Sequence, residues 1–259
     1  MVRNATERAA RERALAESRS QLAREHASVV ALQAAILPRE LPPVHGADLA
    51  AAYVAGADNL DVGGDWFDAF ALPDGAVAIA IGDVAGKGIE AAQVMAQLRS
   101  AGRVAARGGQ DPAGVLSAQN TLMLAGGLGP FATTVFGVYR PATGVLAWAS
   151  AGHLPPLVAP WAGRLRRMTI PPDLPLGAYP GAARRNTDGR LPTDACLFLY
   201  TDGLVERRDA SIAIGMDLLM DALTCAPADT VCATAMATMF ADRAASDDVA
   251  ILAVRRTKA

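Results

Sequence analysis

The tightest constraint in this sequence is a pair of uninterrupted apolar runs, ACLFLY at 195–200 and VAILAV at 249–254. Continuous apolar segments of this length are strands covered on both faces, since a half-exposed strand alternates apolar with polar. A third run, AVAIAI at 76–81, has the same character. Further β-like runs fall at 49–55, 132–139, 145–149, 156–159 and 165–169, joined by turn-forming stretches such as Pro141–Gly144 and Ala162–Gly163. Helical patterns occupy 89–106 and 112–125, and recur near 217–225 and 229–241. Strands therefore cluster with strands and helices with helices. That grouping predicts an α+β fold with antiparallel sheets flanked by helices, not a doubly wound parallel sheet.

Ahead of this body, residues 1–37 contain no Gly and no Pro, and Pro38, Pro42 and Pro43 end any helix within a few residues. Leu15, Leu22, Val29 and Ile36 recur every seven residues. Glu7/Arg11, Arg8/Glu12 and Arg13/Glu17 sit at the spacing of solvated helix pairs. Such a stripe must be buried either on its own domain or against a second copy of the chain. The complementary heptad positions Ser18, Glu25 and Leu32 are a poor match, so both readings stay open: a helix folded back on the domain, or a coiled-coil linker making a homodimer. Two segments result, a helical linker at 1–37 and a larger domain at 44–256.

Composition excludes several classes. The chain has 259 residues, and its 24 Lys+Arg against 26 Asp+Glu give a formal charge of −2, the wrong balance for binding nucleic acid through phosphate neutralisation. No stretch approaches the ~18 apolar residues that span a bilayer, and the charged first residues lack the apolar core of a secretory signal. Cys196, Cys225 and Cys232 form no CxxC pair, and His26, His45 and His153 stand singly, so a zinc site is not expected. The chain reads as a reduced, cytoplasmic protein.

The chemistry lies in the aspartates. Asp65 sits in Val62-Gly-Gly-Asp65-Trp-Phe-Asp68, and Asp83 follows the 76–81 run in Gly82-Asp83-Val84-Ala85-Gly86-Lys87-Gly88. Asp202 follows ACLFLY, and Asp247 and Asp248 directly precede VAILAV. Each carboxylate thus stands at the mouth of a buried strand. One such acid is ordinary turn chemistry. Four clusters with no basic neighbour at Asp65, Asp83 or Asp247 would repel one another if they met, and would need cations between them. Oxygen ligands without His or Cys select hard divalent ions, Mg²⁺ or Mn²⁺. Pairs of such ions activate water and clamp phosphoryl groups.

These motifs, together with Ala151-Gly152-His153-Leu154-Pro155-Pro156-Leu157 and Leu199-Tyr200-Thr201-Asp202-Gly203-Leu204-Val205-Glu206, resemble in order those of the SpoIIE/RsbU-type serine phosphatases. That family is the bacterial branch of the metal-dependent type 2C protein phosphatases. The resemblance implies a four-layer α-β-β-α sandwich and hydrolysis of phosphoserine or phosphothreonine with two ions, Mn²⁺ or Mg²⁺. It further implies that Asp83 bridges both ions, with the Val84 carbonyl as a second ligand of one, and that Asp65 serves the first ion. Asp202 and Asp247 take the second ion, with Asp248 as the fallback. By the same resemblance the substrate is a phosphorylated anti-sigma-factor antagonist (a STAS protein) in a stress or developmental partner switch. Phe67 and Lys87 depart from the family's usual Tyr and His at non-ligand positions.

Two rival readings bear on this. Gly82–Gly88 is not a nucleotide-binding P-loop: three residues, not four, separate its first glycines, and Gly88 replaces the hydroxyl residue. A catalytically silent scaffold that binds metal and a regulatory partner is the alternative, since acidic clusters also hold Ca²⁺ structurally. His153, in a Gly-His-Leu-Pro-Pro turn, reads as a hydrogen-bonded structural histidine and not a general acid. Lys87 reads as a solvated loop lysine.

Overall fold

The computed structural model describes residues 36–56, 63–160, 165–171, 173–207 and 210–258. Two five-stranded antiparallel sheets face each other. The first runs β1 (Ala47–Val54), β10 (Val249–Arg256), β9 (Cys196–Tyr200), β6 (Leu157–Ala159) and β7 (Arg166–Arg167). The second runs β2 (Trp66–Ala71), β3 (Val77–Val84), β4 (Ala132–Arg140), β5 (Val145–Ala151) and β8 (Thr187–Arg190). Helices α1 (Ile89–Arg107) and α2 (Pro112–Gly126) cover the second sheet; α4 (Ile212–Ala222) and α5 (Ala228–Met239) cover the first, with the single turn α3 (Asp202–Val205) beside them. The result is the α-β-β-α sandwich. No helix among the described residues is long and apolar enough to cross a membrane.

The apolar runs behave as their composition requires. In β9, Leu197 and Leu199 point between the sheets, while Cys196, Phe198 and Tyr200 point towards the helices. In β10, Ala250, Leu252 and Val254 face inward and Val249, Ile251 and Ala253 outward, every one of them buried. α1 buries Ala91, Met95, Leu98, Gly102 and Ala106, a stripe at helical spacing. α2 opens on an Asp111 cap whose carboxylate accepts from the Gly114 amide at 2.8 Å, with Pro112 in the first turn, and closes on left-handed Gly127. Buried Gln119 joins the two helices by donating to the Leu98 carbonyl at 2.8 Å.

Several elements differ from expectation. β2 is absent from the apolar pattern because Asp68 interrupts it; this carboxylate is 2% exposed and is held by Arg103 through two 2.6 Å hydrogen bonds and by Arg99 at 3.1 Å. β8, sequence TDGR, is a polar edge strand without an apolar signature. α4 begins at Ile212 and not near Asp217, because exposed Ile212, Ile214 and Leu218 blur its apolar period. β3 continues through Gly82, so Asp83 lies within the strand, paired with Thr133, and does not follow it.

The heptad positions Leu15, Leu22 and Val29 lie outside the described residues, as does most of the expected linker. Ile36, the last of the series, packs against the core between the sheets, next to buried Leu37, and its carbonyl accepts a hydrogen bond from Arg99. Ile36 is thus fastened to α1.

Asp68 is therefore a buried acid neutralised by two arginines one helical turn apart. Asp68→Ala leaves both without their partner and should lower unfolding stability by about 3 kcal/mol. Asp74→Ala removes the exposed pair with Arg140 and should leave the urea midpoint nearly unchanged. Urea denaturation of both variants checks the contrast.

Candidate active site

The predicted acids come from both sheets and meet at one end of the sandwich. Asp65 directly precedes β2, Asp83 is the penultimate residue of β3, Asp202 opens α3 just after β9, and Asp247 and Asp248 lead into β10. The loops approach closely enough to exclude side chains. A Cβ on Gly63 would stand 1.2 Å from Asp248 Oδ2, and one on Gly203 would stand 2.0 Å from the Asp248 carbonyl. Only glycine fits at either position. The Val84 amide donates to the Gly64 carbonyl at 3.2 Å, which holds the Asp65 loop against the end of β3.

The carboxylates feel one another strongly. Asp65 is buried, and its carboxyl is pushed well above the usual range by that burial first, then by the charge of Asp83, with Asp202 and Asp248 adding to it. Asp83 is raised by burial, then by Asp202, Asp247 and Asp248. Asp202 is raised by burial, then by Glu206 and Asp247. Acting in the opposite sense, Thr201 favours the charged form of Asp65, and Asp65 favours the charged form of Asp83. The five aspartates are thus one electrostatic unit whose neighbours are other acids.

The two members of the Asp247-Asp248 pair differ sharply. Asp248 is 2% exposed; its Oδ1 accepts from the Gly56 amide at 2.8 Å and its Oδ2 from the Tyr53 hydroxyl at 2.7 Å. Burial and the Asp248 charge drive the Tyr53 pKa far upward, so the phenol remains a donor. Asp247 is exposed, and its Oδ1 accepts from the Asp248 amide at 2.8 Å. The sequence carries no sign of Tyr53 or Gly56, which lie more than 190 residues away from Asp248. Thr201, by contrast, was within reach of sequence reasoning, because it sits beside Asp202 in the quoted motif. Its hydroxyl also accepts from the Ala250 amide at 2.9 Å, tying β9 to β10 next to the acids.

The donor set suits a hard divalent cation. It is made of carboxylate and carbonyl oxygens, it concentrates negative charge, and Asp65 Oδ2 is buried without a hydrogen-bond partner. Among the described residues, no group of three or more His, Cys, Asp or Glu side chains is arranged to hold a metal ion.

His153 and Lys87 stand apart from this chemistry. His153 Nδ1 accepts from the Thr133 hydroxyl at 2.8 Å and Nε2 donates to the Tyr200 carbonyl at 3.2 Å, which uses both ring nitrogens and fixes the neutral tautomer. Lys87 is exposed on the loop before α1.

The fold is one shared with domains of the SpoIIE/RsbU class. Residues 73–257 match the family described as Stage II sporulation protein E (SpoIIE), and the chain belongs to it. It is 29% identical over 192 residues to Protein IcfG of Synechocystis sp., covering 63% of this chain and 30% of that protein, so it spans under a third of that relative's length. The crystal structure of the RsbU and RsbW domains of Rv1364c from Mycobacterium tuberculosis superposes with a TM-score of 0.77 at 32% identity, covering 86% of this chain and 63% of that one. The catalytic domain of the serine threonine protein phosphatase PstP, in complex with 2 manganese ions, shares the fold: TM-score 0.58, 17% identity, 82% of this chain and 99% of that one.

Burial moves His153 from 6.5 down to about 4. Between these values the unfolded chain binds a proton that the folded chain excludes, so this group's stabilisation is present above pH 6.5 and lost as pH falls towards 4. The loss amounts to about 3 kcal/mol at most. His153→Gln should flatten that part of the stability profile relative to wild type, as read from urea midpoints across the pH range.

Proposed function

We propose that this domain hydrolyses phosphoserine or phosphothreonine in a protein substrate with two divalent cations, Mn²⁺ or Mg²⁺. The observation that carries the reading is the meeting of Asp65, Asp83, Asp202 and Asp247 at one end of the sandwich, with Asp65 Oδ2 buried and unpartnered. Membership of the SpoIIE family and likeness to a manganese-bearing phosphatase support it.

In this reading Asp83 and the Val84 carbonyl hold the first cation together with Asp65, and Asp83, Asp202 and Asp247 hold the second. Such a pair of ions, when bound, supplies activation of water as a nucleophile and neutralisation of charge at phosphorus. The chain's own groups prepare the place. Thr201 favours the charged form of Asp65, and cations bound there would lower the raised proton affinity of Asp65 and Asp83. Asp248 has both oxygens engaged by Tyr53 and Gly56, which supports Asp247 as the ligand and Asp248 as the anchor of the loop.

The substrate class follows the family resemblance: a phosphorylated anti-sigma-factor antagonist of the STAS type. A neighbour that carries RsbU and RsbW domains in one structure supports a partner-switching setting. The alternative, a silent scaffold of the same fold, predicts metal binding without turnover.

Phosphate release from a phosphorylated STAS protein should require Mn²⁺ or Mg²⁺ and stop with a chelator. Metal at a hundred times its dissociation constant should also raise stability by about 2.7 kcal/mol. Full-rate hydrolysis by chelated protein would sink the two-ion reading, and metal binding without hydrolysis of any phosphoprotein would favour the scaffold. At saturating Mn²⁺, Asp83→Asn should lose the most turnover, more than about 100-fold, followed by Asp202→Asn and Asp247→Asn. Asp248→Asn should be milder in turnover and should show chiefly in stability. An Asp248 variant more damaged in turnover than the Asp247 variant would reverse that assignment.

A further inference from the structure

Opposite the β1/β2 side, the sandwich ends in two short edge strands, β7 on one sheet and β8 on the other. Between them lies a cleft of about 330 Å³, within the size range of small-molecule sites. Its floor is apolar and comes from both sheets: Leu146 and Trp148 of β5 on one side, Val158 of β6 and Leu197 of β9 on the other. Trp148 is 6% exposed, yet its indole N–H has no hydrogen-bond partner. The indole nitrogen itself has no accessible surface, so Trp148 offers the cleft its ring.

The rim supplies the second observation. Three arginines, Arg166, Arg167 and Arg190, face a single acid, Asp188. Arg167 is engaged with Asp217 at 3.0 Å, and Arg190 donates through Nε to the Thr143 carbonyl at 2.8 Å. Arg166 is exposed and has no acidic partner among the described residues. An apolar floor beside a surplus of guanidinium charge describes one kind of occupant.

We infer that this inter-sheet cleft binds a small amphipathic anion, an apolar or aromatic body carrying one acidic group. The body lies on Leu146, Trp148, Val158 and Leu197, and the acidic head meets Arg166 and Arg190. The cleft is separate from the acidic cluster: β8 lies three strand positions from β3, about 14 Å across the sheet. It touches β9, however, the strand whose end carries Asp202. This inference does not rest on phosphatase activity and is tested without it.

The test is a titration of the full chain, in the presence of chelator, with the aromatic anion anilinonaphthalene sulfonate and with its uncharged relative N-phenylnaphthylamine. The sulfonate should bind at one saturable site, with energy transfer from tryptophan. Arg166→Glu, on an exposed strand, should weaken the sulfonate about tenfold and leave the neutral probe unchanged, with the melting temperature unaltered. Absence of saturable binding to the wild-type chain would overturn the inference, and so would a sulfonate affinity that Arg166→Glu leaves intact.

Discussion

Repulsion among carboxylates is the constraint around which this domain is arranged. Asp65, Asp83, Asp202, Asp247 and Asp248 are brought together by four strand ends from two sheets, and burial raises the cost of each charge. A flexible framework would spread them apart. This one cannot, because the strands that carry them are packed on both faces and the loops between them meet at glycines with no room to move. The repulsion raises the proton affinity of Asp65, Asp83 and Asp202 and, in the proposed function, is relieved by cations.

The cations of the chain are distributed accordingly. Arg99 and Arg103 project from α1 onto Asp68, three residues beyond Asp65, and neutralise that acid completely. Arg103 and Arg107 also lie over the Phe70 ring. The same strand therefore carries one acid that is paired within the protein and, at its mouth, another whose principal neighbours are acids. That division separates a carboxylate neutralised within the protein from one whose charge its neighbours oppose.

Much of this was legible in the sequence. The runs at 195–200 and 249–254 announce strands covered on both faces, and the acids at their ends announce the site. What was not legible depends on contacts across long sequence separations. β2 hides behind Asp68, whose charge is cancelled only by a helix about 30 residues further on. The distinct roles of Asp247 and Asp248 depend on Tyr53 and Gly56, and two adjacent aspartates cannot be told apart until β1 lies beside β10. The polar edge strand β8 has no pattern of its own and is defined by pairing with β5. Local periodicity reports burial, whereas partner choice at buried polar groups is a property of the assembled fold.

The pairing of β1 with β10 has a consequence for how the domain comes into being. These neighbours are separated by almost the whole domain, and β10 also completes the pairing of β9. On a ribosome the second sheet, with Asp65 and Asp83, can be synthesised and closed while β10 is still unmade. Asp247 then arrives with the last strand, and its insertion between β1 and β9 is a long-range step of the kind that slows folding. A nascent chain without β10 would hold Asp65, Asp83 and Asp202 but neither Asp247 nor Asp248, so the complete acidic cluster and the finished domain appear in a single event.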